Sequence, residues 1–316
     1  MTADCILSYH MKHVFGPVPS RRLGFSLGVD IIPPKYCSYD CIYCQIGKTT
    51  DKEIRRRSFY DPQIVTGQVI DTVSTGKTID IITFSGSGEP TLNSDLGAMI
   101  RELKKSVSIP VAVITNGSLL WDEDVRRDLA EADIVLPSLD AVSEDVFKRI
   151  NRPHPSLSVE KILEGLMIFR KEYSKKIWLE IMLIRNVNDD RDELKKMAQI
   201  VATLNVDKIQ LNTVTRPPSE ETAGRLEESE LTTICGLFGP ACEVICSFDK
   251  TTEMPAQAEW TNIIVETLRR RPLTLDDMVK VTGLSHFQAK TRLKVLEKEG
   301  VIRSYVLGDD LFYVIA

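Results

Sequence analysis

The sequence lacks any run of the ~18 apolar residues that a bilayer-crossing helix needs, which excludes a helical membrane span. Its opening stretch, "MTADCILSYHMKH", has an apolar core only at residues 5–7, too short for a secretory signal. The expected location is therefore the cytoplasm, with no membrane partner. Histidine is scarce, with four among 316 residues, and His10 and His13 stand in no zinc-type pattern. A second Cys-x2-Cys pair at zinc spacing is missing too. Positive charge is not in excess: the net charge of −5 argues against a uniformly basic nucleic-acid binder. With 43% hydrophobic and 27% charged residues, the composition is that of a soluble globular protein with one large and one small unit, or two of medium size.

Against these absences stands "KYCSYDCIYCQIG", residues 35–47, with Cys37, Cys41 and Cys44 inside eight positions. In a reducing compartment, thiols serve as ligands, catalytic groups or small buried hydrophobes rather than as disulfides. A redox dithiol leaves the third thiol unexplained, and structural zinc wants a fourth ligand. Three thiolates on a tight loop suit a four-iron cube with one iron free to take an exchangeable ligand. Residues 1–60 hold nine basic and five acidic side chains, a surplus of four around these cysteines. That surplus fits an anionic substrate or an ordinary solvated face.

Apolar, β-branched runs at 26–32, 80–85, 111–115, 134–138, 177–184 and 208–212 alternate with amphipathic stretches. In "SVEKILEGLMIFRKE" the apolar stripe is Val159, Ile162, Leu163, Leu166 and Met167, with Ser158 as N-cap. Asp190 opens a second helix that ends at Asn205. Strand then helix, six times, predicts an α/β fold with a parallel sheet. Periodicity alone does not separate an open sheet from a barrel. The polar chemistry after every strand ("GSGEP", "NGS", "SLD", "RNVND", "NTVTR" and the cysteines) favours a (β/α)6 partial TIM-like barrel with its site on that rim.

Cys-x3-Cys-x2-Cys with Tyr43 before its last cysteine, followed by "ITFSGSGEPTL", "AVITNGSLL" and "PSLDAVSEDVFKRINRPHP", resembles the radical S-adenosylmethionine (radical SAM) superfamily. The resemblance runs from about Val14 to Asp249 and is similar to a branch related to iron–sulfur oxidoreductases of the wybutosine-synthesis type. It implies that Cys37, Cys41 and Cys44 hold one [4Fe-4S] cluster and that SAM chelates the open iron. Tyr43 would lie near adenine or pack the loop. Gly86, Ser87, Gly88 and Glu89 match the glycine-rich motif that meets the SAM ammonium, although many members have a Gly-Gly pair before the glutamate. Ser138 and Asp140 match positions that bind ribose or carboxylate; Asp140 equally suits a helix cap near Ser143. Asn116 would face the cofactor or simply make its Asn-Gly turn. Asn212 is a further candidate for the cofactor. Arg185, Asn188 and Arg216 are candidates for SAM or substrate, and Arg21 and Arg22 for an anionic substrate or plain surface charge. The implied reaction is reductive cleavage of SAM, with an electron donor such as ferredoxin or flavodoxin, to a 5′-deoxyadenosyl radical that abstracts hydrogen from an RNA, protein or small-molecule substrate.

Residues 1–248 read as the core, 249–256 as a linker and 257–316 as a winged helix-turn-helix domain. Three helices precede a hairpin turning at Gly308, and the recognition helix starts at the N-cap Ser285. Residues 257–316 hold nine basic and eight acidic residues, so nucleic acid and protein both remain as partners. Cys235, Cys242 and Cys246 read as core cysteines or as ligands of a second cluster. The rival to an enzyme is an iron–sulfur redox sensor whose winged helix reads DNA.

Overall fold

The structure is a computed structural model that describes residues 12–245 and 260–316; the linker 249–256, Cys5, His10 and Cys246 lie outside the described residues. An antiparallel pair comes first, β1 (Val14–Ser20) and β2 (Gly24–Val29). Pro17 and Pro19 hide β1 in the sequence, and they are tolerated because β1 is an edge strand. The short strands β3 (Tyr36–Cys37) and β4 (Asp51–Lys52) flank the cysteine loop and pair in parallel. There follow α1 (Pro62–Ser74), β5 (Ile81–Phe84), α2 (Leu96–Ser106), β6 (Val111–Thr115), α3 (Glu123–Leu129) and β7 (Ile134–Pro137). Next come α4 (Glu144–Ile150), α5 (Val159–Glu172), β8 (Lys176–Leu183), α6 (Arg191–Leu204), β9 (Lys208–Thr213), α7 (Glu228–Phe238) and β10 (Cys242–Val244). The sheet runs β1-β2-β5-β6-β7-β8-β9-β10, and every pair after β1–β2 is parallel. The six expected strands are β2 and β5 to β9; β10 adds a seventh parallel strand.

Local chemistry sets the helix starts. Asp61, Asp122, Ser158 and Asp190 accept backbone N–H groups at the heads of α1, α3, α5 and α6. Asn205 ends α6 in the left-handed conformation, φ 47°. The expected stripe of α5 is corrected at Met167, which is 41% exposed. Gly165 takes the buried place instead, because a Cβ there would lie 2.5 Å from the Trp121 backbone nitrogen.

Side-chain alternation decides the curvature. Ile82, Phe84, Val111, Val113, Val135, Ile177, Leu179 and Ile181 join Val65, Met99, Val125, Leu166, Met197 and Leu231 of the helices in one core. The opposite face, carrying Ile81, Ala112, Ile134, Leu136 and Trp178, packs with Leu23 from the β1–β2 turn. All crossover helices in this core therefore cover one face, as in a barrel, and not both faces as in a doubly wound sheet. Arg22 in the β1–β2 turn also meets Glu180 on β8 at 2.6 Å. Four steps separate β2 from β8 in the sheet order, and at ~4.8 Å per step only a curled sheet brings them together. The fold is an α/β partial barrel with a largely parallel sheet.

The remaining residues form α8 (Trp260–Leu268), β11 (Leu273–Thr274), α9 (Leu275–Thr282), α10 (His286–Lys298), β12 (Ile302–Leu307) and β13 (Asp310–Ile315). Their antiparallel sheet runs β11-β13-β12. Ile264, Leu268, Met278, Leu293, Ile302 and Tyr313 make a core of their own. Phe15 and Val18 of β1 pack against Val281 and Ile263, so this unit docks on the free edge of the barrel.

Candidate functional site

The cysteine loop is fastened by its backbone. Glu53 N donates to Cys37 O at 3.1 Å, Cys44 N to Cys41 O at 3.1 Å, and Asp40 N to Asn151 O at 2.9 Å. Cys37, Cys41 and Cys44 are free and half-buried. Burial pushes all three thiols up, Cys37 to about 12, so a metal must displace their protons. Asn116 Nδ2 lies 3.5 Å from Cys37 Sγ and Asn151 Nδ2 lies 3.4 Å from Cys41 Sγ, placing amide donors on two sulfurs. Among the described residues no three His, Cys, Asp or Glu groups are arranged to hold a single metal ion. Three thiols around one loop, with amide donors to sulfur, fit the donor set of an iron–sulfur cluster.

The glycine-rich segment after β5 is zipped to that loop. Lys35 N donates to Ser87 O at 2.9 Å and Glu89 N to Tyr36 O at 3.2 Å. A Cβ on Gly88 would stand 2.0 Å from Tyr36 O, so only glycine lets these backbones meet. Ser87 donates from N and Oγ to Asp30, the latter at 2.6 Å. Glu89 is buried and accepts from Thr91 N, Thr91 Oγ1, Thr115 Oγ1 and Asn116 N. Burial raises its carboxyl, opposed by those donors. Asn116 also makes the turn expected of it, accepting from Ser118 N at 2.9 Å.

Asp140 follows β7. It accepts from Tyr43 Oη at 2.5 Å, Asn151 Nδ2 at 2.8 Å and Met182 N at 3.0 Å, while burial pushes its carboxyl up to about 6. The helix-cap reading of Asp140 is corrected: Glu193 accepts from Val142 N and Ser143 N at the head of α4. Ser138 closes β7, its N–H bonded to Thr115 O, and shares a small cleft with Asn116 and Asp140. The structure thus brings Asn116 to Cys37, Asp140 and Tyr43 to Cys41 through Asn151, and Ser87 to Glu89 against the backbone of the cysteine loop, while Ser138 lies in the small cleft and Gly86 against Asp30. It does not bring Arg185 or Asn188 to the thiols. Arg185 pairs with Glu230 on α7, and Asn188 is buried, donating to Asp140 O and Met182 O as a brace. Asn212 instead joins the network of Arg21, Arg22 and Glu180 on the concave face.

Four residues escaped the sequence reading: Asp30, Lys35, Asn151 and Glu180. The one signal for Lys35 was its place between Pro34 and the cysteines; in the structure it takes φ 64°. Its Nζ is buried without a hydrogen-bond partner, and burial lowers its ammonium. Cys235 and Cys242 are also corrected, both as candidate ligands and as reduced thiols: a disulfide joins them, Cα atoms 5.6 Å apart. A cavity of about 1160 Å³ opens between the cysteine loop and the C-terminal unit. Its walls include Lys12, Lys35, Gly47, Arg270, Arg271 and Arg303.

A partial barrel with three thiols at the C-terminal rim of its strands defines a class, enzymes that keep an iron of their cluster open to a second ligand. The chain belongs to the Radical SAM superfamily, which matches residues 31–198, just over half its length. Enzymes of that family use a [4Fe-4S] cluster and SAM, and the donor set above fits the first of these. A UPF0026 protein of Methanocaldococcus jannaschii is 42% identical over 230 residues, 72% of this chain and 71% of that protein. A protein named GTPase Obg from Brachyspira hyodysenteriae is 37% identical over 308 residues, 96% of this chain but 45% of its own length. The chain thus spans less than half of that relative. Its two Gly-Lys-Thr triplets, at 47–49 and 76–78, lack the preceding glycine of a phosphate-binding loop. The solved structure of TYW1 with a lysine-pyruvate adduct bound superposes with a TM-score of 0.55 at 22% identity, covering 71% of this chain and 75% of that one. No helix among the described residues is long and apolar enough to cross a membrane.

Proposed function

We propose that this enzyme directs radical chemistry at a macromolecular substrate, an RNA, presented at the barrel mouth by residues 257–316 acting as a winged helix-turn-helix domain. In that reading α9 and α10 are the helix-turn-helix, the β12–β13 hairpin is the wing, and residues 249–256 link it to a core of residues 1–248. The carrying observation is the cavity of about 1160 Å³ walled by both units. Its volume stands just above the range of about 300–1,000 Å³ for small-molecule sites, and what favours a polymer is that two units share its walls. Its walls carry Lys12, Lys35, Arg269, Arg270, Arg271 and Arg303 against Asp30 and Glu266, which suits a polyanion.

With both cofactors bound and one electron from a donor such as ferredoxin or flavodoxin, the site would supply radical chemistry, the reductive cleavage of SAM that leads to hydrogen abstraction from the substrate. Cys37, Cys41 and Cys44 would hold the cluster, with Asn116 and Asn151 donating to the sulfurs of Cys37 and Cys41. Tyr43 and Asp140, locked together at 2.5 Å, orient the wall beside it. Glu89 fixes the ends of β5 and β6 by gathering four donors, which holds Gly88 against Tyr36. Buried Ile32 and Tyr36 help keep that side dry.

Anaerobically reconstituted protein with dithionite and SAM is expected to release 5′-deoxyadenosine, and Cys37→Ala to release none. Photo-crosslinking to RNA is expected to fall steeply with salt. Release equal to that of Cys37→Ala would overturn the chemistry; absence of RNA crosslinks at low salt would overturn the substrate class.

A further inference from the structure

The concave face carries a second polar cluster, whose charges do not cancel. Four guanidinium groups, those of Arg21, Arg22, Arg216 and Arg271, gather with two carboxylates, Glu180 and Asp277. Glu180 is consumed by Arg22 at 2.6 Å and Asn212 at 3.0 Å. Asp277 lies 3.6 Å from Arg216 Nη2. Arg21 Nη1 donates to Asn212 Oδ1, Thr215 Oγ1 and Ile245 O, which pins it without neutralising it. Nε of Arg216, and Nε and Nη2 of Arg271, are buried with no hydrogen-bond partner among the described residues. The Arg216 side chain is only 13% exposed.

We propose that Arg21, Arg216 and Arg271 form an oxyanion subsite that holds a phosphate group of the substrate, built jointly by the β1–β2 turn, the segment after β9 and the segment after α8. Two uncompensated positive charges match a phosphate monoester dianion. Guanidinium forks suit tetrahedral oxyanions, and the free Nε and Nη2 of Arg271 are one such fork. Burial, then repulsion from Arg216, pushes Arg271 down to about 9, and the same two causes push Arg21 down to about 10. Both stay charged at neutral pH, and a bound anion relieves the repulsion. Of the three, Arg271 also lines the large cavity, which puts the subsite at that cavity's edge. Glu180 ties the subsite to β8, the strand whose Met182 N donates to Asp140. A phosphate held here leaves the rest of its molecule free to extend toward the cysteine loop.

That this phosphate belongs to the substrate rests on the function proposed above; the binding itself needs neither cluster turnover nor SAM. Isothermal titration of the full reconstituted chain with inorganic phosphate is expected to show binding. Arg271→Gln should weaken it about tenfold to a hundredfold, the loss of one charge-assisted fork. Arg101→Gln on α2, which removes the exposed partner of Glu131, should leave it unchanged. Should Arg271→Gln fail to fold, phenylglyoxal labelling of the wild-type chain read by peptide mass spectrometry serves instead, with phosphate shielding Arg216 and Arg271. Tighter binding of a 5′-phosphorylated oligoribonucleotide than of its unphosphorylated twin would assign the phosphate to RNA; tighter binding of a mononucleotide would assign it to a small molecule. No phosphate binding, equal binding by Arg271→Gln, or no shielding overturns the subsite. Phosphate binding without 5′-deoxyadenosine release would sink the radical reading and leave the subsite standing; release without phosphate binding would do the reverse.

Discussion

The ion pair between Arg270 and Asp30 is a buried polar fastening of the C-terminal unit to the barrel, and its removal has a calculable cost. Arg270 Nε lies 3.0 Å from Asp30 Oδ2, with the side chains 10% and 7% exposed. Removing one member of a buried pair costs about 3–5 kcal/mol, because the other is left charged and unpaired. Here Asp30 keeps two donors from Ser87, which lowers the figure. Arg270→Met also loses the bond to Lys12 O at 3.0 Å and the stacking over Phe15 at 4.8 Å, which raises it by about 1 kcal/mol. The net expectation is about 3 kcal/mol for Arg270→Met and about 2 kcal/mol for Asp30→Asn. Urea unfolding of the two single variants and the double variant closes a cycle. The double variant should cost less than the sum by about 2 kcal/mol. A coupling below about 0.5 kcal/mol would refute the reasoning, since independent sites add to within that margin.

Three further outcomes are expected. Gly88→Ala forces a Cβ to 2.0 Å from Tyr36 O, so iron content after reconstitution should fall severalfold while the far-ultraviolet dichroism of the chain is kept. Asp140 titrates at about 6 when folded and about 4 when unfolded, so the folded chain holds the extra proton between these values. Its contribution to stability is therefore greatest below about pH 4, declines as pH rises to about 6 and is flat above; Asp140→Asn should remove up to about 3 kcal/mol of that decline, read by urea unfolding of metal-free protein at pH 4 and pH 7. Lys290 and Lys294 are exposed on α10, and replacing both with Gln should lower the slope of log binding constant against log salt by about 1.4 for single-stranded RNA without affecting stability.

The sequence made most of the barrel legible for a physical reason: strands covered on both faces leave apolar runs, and crossover helices leave periodic stripes. β1 escaped because a strand carrying Pro17 and Pro19 pairs along one edge only. The three cysteines were legible because their spacing is local. Asn151 was not, because it reaches Cys41 from 110 positions away, and Asp30 was not, because its partners Ser87 and Arg270 meet it only after folding. Charge alone misled for Arg22, whose place in the sequence beside Arg21 gives no hint that Glu180 draws it inside. Cys235 and Cys242 misled in the opposite sense, since the antiparallel return from α7 to β10 sets them face to face.

Ser87 shows how the core and the C-terminal unit depend on each other. Many members of the superfamily have glycine there; this chain has a serine, whose hydroxyl has a partner in the structure. Ser87 Oγ donates to Asp30 Oδ2 at 2.6 Å, the oxygen that also receives Arg270. The Ser87 carbonyl, on its other side, accepts from Lys35 N two residues before Cys37. One residue thus joins the cysteine loop to the docking pair, through its backbone in one direction and its side chain in the other. A glycine would keep the first link and lose the second. The departure from the family's glycine pair therefore falls where a second unit must be held against the cofactor loop, and Arg271 enters the concave face from that same unit, next to the arginine that Asp30 secures.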